Sequence, residues 1–124
     1  MRNQIYSSAT AEHIEDCLDQ LDPLREYISW SLSKQNCYFY YGVLLKVISG
    51  MIGIDNKSYI LVDDCIINII ANPKNSILIS PYMGNKLDTE LLTLSQFLTV
   101  KSECMDIREE IPHIFDIEEI LRHK

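Results

Sequence analysis

Two short apolar runs constrain this chain most. "SYILV", residues 58 to 62, and "SILIS", residues 76 to 80, are continuous rather than alternating in their apolar content. A strand with one solvated face alternates, whereas a strand covered on both faces does not, so runs of this kind belong to parallel sheets flanked by helices. The remaining segments fit that frame. "IYSSAT" reads as a strand passing into a loop. "AEHIEDCLDQL" follows with Ile14, Cys17, Leu18 and Leu21 at helical spacing, and Pro23 predicts that the helix stops at Asp22. "YISWSLS" alternates, placing Ile28, Trp30 and Leu32 on one face of a half-buried strand. "CYFYYGVLLKVIS" predicts two short antiparallel strands turning near Tyr41 and Gly42, and "LDTELLTLSQFLTV" predicts a helix presenting Leu91, Leu94, Phe97 and Leu98, with Asp88 as its N-cap. Residues 106 to 124 form an acidic, intermittently helical tail. Strands alternating with helices indicate an α/β domain with a mainly parallel sheet and a small antiparallel unit in mid-chain.

The 124 residues suffice for one hydrophobic core and are too few to suggest two, so a single domain over 1–124 is expected. A formal charge of −7 repels phosphate backbones, and no basic patch offsets it, which argues against direct nucleic-acid binding. No apolar run reaches the ~18 residues needed to span a bilayer. Cys17, Cys37, Cys65 and Cys104 are widely spaced among apolar neighbours, without a C-x-x-C pair, and read as reduced core thiols of an intracellular protein. His13, His113 and His123 show no ligand spacing and are assigned to the surface.

Three places carry possible chemistry. Asp63 and Asp64 end the first apolar run, where open α/β sheets build their sites. A pair of hard oxygen donors suits Mg²⁺, which keeps several waters and meets substrates through phosphate, although a loop cap beside a solvated acid explains the same pair. Lys46, inside apolar "VLLKVIS", either neutralises phosphate or extends its ammonium to the surface of an edge strand. Ser7 and Ser8 stand where a strand meets a helix N-terminus, a position that suits anion binding and equally suits ordinary turn and capping chemistry.

The order of these features resembles the small phosphatases that act on the RNA polymerase II carboxyl-terminal domain, the NLI-interacting-factor-like branch of the haloacid dehalogenase superfamily. The landmarks are "LDP" near residue 22, "NCYFYYGVLLK", "YILVDD", "NPKNSILISPYMGNKLDTELLTL" and "DIREEIPHIF", and the likeness runs over roughly residues 5 to 115. It implies a partial haloacid-dehalogenase-like, Rossmann-like three-layer fold. It also implies hydrolysis of phosphoserine or phosphothreonine through an aspartyl-phosphate with Mg²⁺ present. Position by position, Ser7 matches the hydroxyl that holds phosphate, with Ser8 beside it, and Lys46 matches the neutralising lysine. Asp63 and Asp64 match the pair completing the Mg²⁺ site, Asp64 being the one expected to touch metal. Lys34 stands where an arginine lines the pocket, so a point charge replaces a bidentate donor. The implied partners are phosphoproteins or phosphopeptides, and the implied compartment is nucleus or cytoplasm. The same branch includes a mitochondrial import subunit whose phosphatase-like domain recognises presequences, which makes a non-catalytic binding module the alternative.

The chain departs from the family pattern at informative points. Val47 and Ile48 follow Lys46 where Asp-Leu is usual, and Cys65 and Ile66 follow the acidic pair where Ser-Pro is usual. The family's first motif, D-x-D-x-T/V, supplies nucleophile and general acid, and no Asp-x-Asp pair occurs anywhere in the 124 residues. The expectation is therefore a domain truncated at its N-terminus relative to the family and inactive by itself. The strand carrying that motif would lie mid-sheet, so its loss predicts re-paired strands or a strand borrowed from a second copy.

Overall fold

A computed structural model describes residues 3–48, 51, 53–101, 106 and 108. They fall into two compact units, Met1–Val47 and Ile48–Lys124.

In the first unit, β1 (Asn3–Tyr6) leads through a four-residue loop into α1 (Ala11–Leu21). Thr10 caps α1, its Oγ1 accepting from the His13 N–H at 3.3 Å, and the helix buries Ile14 and Leu18, one turn apart, as its inward stripe. It ends at Leu21, as Pro23 dictates. The chain then returns as β2 (Ile28–Leu32), parallel to β1 with Tyr6 opposite Leu32. A helix joining two parallel strands is the βαβ unit that this sequence pattern predicts.

What re-aims the chain between α1 and β2 is Asp22, a buried residue with no apolar role. Its Oδ1 accepts from the Glu26 N–H at 2.9 Å, and its Oδ2 accepts from Tyr27 and Ile28 at 3.1 and 2.8 Å. Burial pushes this carboxyl up, but the donors of Ile28, Tyr27 and Glu26 together outweigh it and hold the group below the ordinary carboxylate range. Arg25, at φ 53°, folds back onto Glu15 and Asp19 at 2.8 and 2.9 Å.

After β2 a single 3₁₀ turn, α2 (Lys34–Asn36), reverses the chain into β3 (Tyr38–Tyr40), which pairs antiparallel with β4 (Val43–Leu45). Tyr41 and Gly42 form the two-residue turn with φ 46° and 82°, the left-handed pair that matches the twist of a tight hairpin.

The second unit holds β5 (Leu61–Asp63), the short helix α3 (Ile66–Ile69), β6 (Ser76–Leu78) and α4 (Glu90–Lys101). β5 and β6 run parallel, with Val62 opposite Ile77. Ile77 is fully buried, with Leu61 and Leu94 also in the apolar core. The approach to β6 is fixed by two buried asparagines around Pro73. Asn72 Oδ1 accepts from the Ile48 N–H at 3.0 Å and from the Tyr59 hydroxyl at 3.3 Å. Asn75 Nδ2 donates to the carbonyls of Asn56 and Tyr59, at 2.6 and 3.1 Å.

The α/β class, the parallel pairing and the antiparallel unit agree with expectation: among the described residues the strands form three two-stranded ladders, two parallel and one antiparallel. Finer expectations differ. Cys17 is exposed rather than a core thiol, because Ile14 and Leu18 take the inward stripe of α1; Cys37 and Cys65 are half-buried. Leu21 of the same helix is 79% exposed. In α4 Leu94 alone of the expected stripe is buried, Phe97 and Leu98 are half-buried and Leu91 lies outside. Trp30 is exposed, and in β5 Leu61 is buried while Val62 and Asp63 are half-buried. Asp88 serves α4 from one place ahead of the N-cap, its Oδ1 accepting from the Glu90 N–H at 2.8 Å. His13 is exposed, as expected, whereas Cys104, His113, His123 and all of the acidic tail except Asp106 and Arg108 lie outside the described residues.

Candidate phosphate-binding and carboxylate sites

Both parallel ladders end in loops that carry candidate residues, in keeping with the rule that open α/β sheets place ligands beyond the carboxyl ends of their strands. Ser7 follows β1 directly. Its backbone N–H donates to Leu32 O at 3.1 Å, continuing the ladder, and its Oγ accepts from the Ala9 N–H at 3.0 Å. A hydroxyl used as acceptor in this way keeps its own O–H for donation. Ser8 is exposed beside it. Lys34 comes to the same end of the ladder, because its backbone N–H donates to Ala9 O at 2.8 Å, and its side chain is exposed. In the sequence Lys34 lies 27 and 26 residues beyond Ser7 and Ser8. The β1–β2 pairing makes them neighbours.

Lys46 directly follows β4 and is 7% exposed, so its ammonium does not extend to the surface of an edge strand. Tyr6 links this segment to β1. The Tyr6 hydroxyl donates to Asn36 O, and the Val47 N–H donates to it in turn. Burial, reinforced by the neighbouring Cys37 thiol, pushes the phenol up to about 12, so Tyr6 stays neutral across physiological pH. Cys37 Sγ in turn lies 3.8 Å from Ser33 O and 4.0 Å from Ser7 O. Tyr6 was not legible as a site residue in the sequence; an aromatic just inside the end of a strand gives no sign that its hydroxyl will tie two loops together.

Asp63 ends β5 and Asp64 follows it. Asp63 is half-buried, its Oδ1 accepts from the Cys65 N–H at 3.0 Å, and its carbonyl accepts from the Ile79 N–H at 3.0 Å. Asp64 is exposed and lines a cleft of about 210 Å³ with Ser80, Tyr82, Asp88 and Glu90. Two of those acids are committed to backbone, Asp88 to Glu90 N–H and Glu90 to Ser80 N–H at 3.0 Å. Among the described residues no group of three or more His, Cys, Asp or Glu side chains is placed to hold a metal ion. A lone exposed carboxylate beside one engaged in a turn falls short of a Mg²⁺ site, so the pair does not by itself fit the metal.

The profile of the NLI interacting factor-like phosphatases matches residues 2–108. The chain belongs to this family. A CTD small phosphatase-like protein 3 from Caenorhabditis elegans is 28% identical over 121 residues, which is 97% of this chain and 38% of that protein. A probable C-terminal domain small phosphatase from Dictyostelium discoideum is 31% identical over 104 residues, covering 84% of this chain and 33% of the relative. A mitochondrial import inner membrane translocase subunit TIM50 from Candida glabrata is 31% identical over 94 residues, 76% of this chain and 19% of its own length. The chain therefore spans about a third or less of most of these NLI interacting factor-like relatives. Both phosphatases and an import subunit stand among them. No helix among the described residues is long and apolar enough to cross a membrane.

Proposed function

We propose that this chain is one phosphatase-like domain of the phosphoserine and phosphothreonine type that binds a phosphorylated peptide and does not turn it over by itself. The observation that carries the reading is the convergence of Ser7, Ser8 and Lys34 at the carboxyl end of the β1–β2 ladder, within the span matched by the family. The Ser7 hydroxyl donates to a phosphate oxygen while Ala9 N–H holds its Oγ in place. Lys46, already desolvated, and Lys34 supply positive charge, and a buried ammonium gains more from an anion than an exposed one because the local dielectric is low. Asp63 and Asp64 are the remaining acidic pair of the family's Mg²⁺ site. Among the described residues they meet no further carboxylates of the kind such a site needs, so the pair alone does not carry a metal-assisted step. Without an Asp-x-Asp pair in these residues the covalent route through an aspartyl-phosphate has no nucleophile. The compartment that suits phosphopeptide binding is nucleus or cytoplasm, and strand exchange between copies would add a strand to a ladder edge.

Binding tests separate this reading from its rival. A phosphoserine peptide titrated against the chain should bind at least tenfold more tightly than its unphosphorylated form, with the preference removed by Lys46→Met. Equal binding of the two peptides would sink the proposal. The similarity to TIM50 supports a second reading, a non-catalytic module for basic presequences in mitochondria, which the net charge of −7 also suits. That reading calls for salt-sensitive binding of a basic amphipathic peptide that ignores phosphorylation.

A further inference from the structure

His13 and Cys17 lie one turn apart on α1, both exposed, with Cys17 Sγ 3.7 Å from His13 Nε2. Residues four apart on a helix face the same way, so the two side chains project together from the outer side while Ile14 and Leu18 face the core. The separation can be compared with what a metal demands. Zinc bonds of about 2.3 Å to sulfur and about 2.0–2.1 Å to nitrogen, at a tetrahedral angle, place those two donors about 3.6 Å apart. The observed pair is already at that spacing. We propose that His13 and Cys17 form a two-point chelate for a borderline divalent cation of the zinc class, with water filling the remaining positions. Imidazole with thiolate selects this class over Mg²⁺ and Ca²⁺, which prefer oxygen. On binding, the thiol loses its proton to solvent and the sulfur lone pair makes the metal bond.

The surroundings favour a cation. Helix α1 carries Glu12, Glu15, Asp16 and Asp19 and no lysine or arginine, so its outer face is a negative surface that concentrates counter-ions. Arg25 draws Glu15 and Asp19 aside, at 2.8 and 2.9 Å, away from the His13–Cys17 edge. No third His, Cys, Asp or Glu joins the pair among the described residues, so the site is open, with room for an exogenous ligand. The proposal is independent of the phosphatase reading, which uses neither residue.

Cobalt(II) is the probe, because thiolate-to-metal charge transfer reports sulfur ligation directly. Titration of the full chain should give a saturable near-ultraviolet band at one metal per chain, displaced by Zn²⁺ and removed by a chelator. Cys17→Ser should abolish the band, and His13→Ala should weaken apparent affinity at least tenfold; Cys65→Ser should leave it unchanged. In the unaltered chain, Zn²⁺ should protect Cys17 from alkylation, which needs no variant at all. Absence of any saturable band, a band that survives Cys17→Ser, or an affinity indifferent to His13→Ala would each overturn the proposal.

Discussion

Asp22 shows how a single side chain can replace a stretch of regular structure. It offers one carboxylate to three consecutive N–H groups at the point where α1 gives way to β2. Because those donors hold its pKa below the ordinary value, its contribution to stability is present above the carboxylate range and lost as pH falls through it. Asp22→Asn should therefore lower the melting temperature at pH 7 and narrow the gap between pH 7 and pH 3 melting temperatures; identical melts for variant and parent at pH 7 would refute the role. Tyr6 has the opposite sign. Its pKa is raised to about 12, so the folded state holds its proton longer than the unfolded state, and stability falls as pH rises from about 10 toward 12. Absorbance titration should show one late-ionising tyrosine in the native chain, missing in Tyr6→Phe. Neither residue announced itself. Asp22 in "LDP" signalled a helix end, but hydrogen bonds to residues four to six positions on depend on a loop path that periodicity does not encode.

At the level of elements, the sequence was most readable where local chemistry decides the outcome. The extent of α1, its stop before Pro23, and the reversal at Tyr41 and Gly42 all follow from backbone preference. Gly42 sits at φ 82° with open space around it, so Gly42→Ala meets strain and no clash, and should cost about 1 kcal/mol in hairpin stability. Readability fell where packing decides. The apolar stripe of α4 gave its position, yet only Leu94 of that stripe is buried, since which part of a stripe is covered depends on the neighbouring elements. Cys17 differs for the same reason: its spacing lies near the stripe, and the narrower pair Ile14 and Leu18 fills it. At the core of the second unit Ile77 is fully buried, and Ile77→Ala should destabilise by about 2–5 kcal/mol in denaturant unfolding. A loss below about 0.5 kcal/mol, the size of a surface change, would mean that β6 is not a packed core strand.

Over the whole molecule, the candidate site was legible as a list of residues and only partly as a place. Ser7, Ser8 and Lys34 are gathered by one parallel ladder, a juxtaposition that needs the β1–β2 pairing to be known. Lys46, just past the end of β4, is buried, contrary to the surface alternative. Asp63 and Asp64, the proposed acidic pair, meet no third carboxylate among the described residues, and MgCl₂ should accordingly leave the melting temperature unchanged. A Mg²⁺-induced rise that Asp64→Ala removes would show a complete metal site. The proposal that these 124 residues, which hold no Asp-x-Asp pair, bind phosphopeptide without turning it over is open to a hydrolysis assay. Purified chain incubated with p-nitrophenyl phosphate and Mg²⁺ should release no phosphate above the buffer rate, whereas release that Asp64→Ala abolishes would contradict the account and place the nucleophile on another carboxylate of this chain.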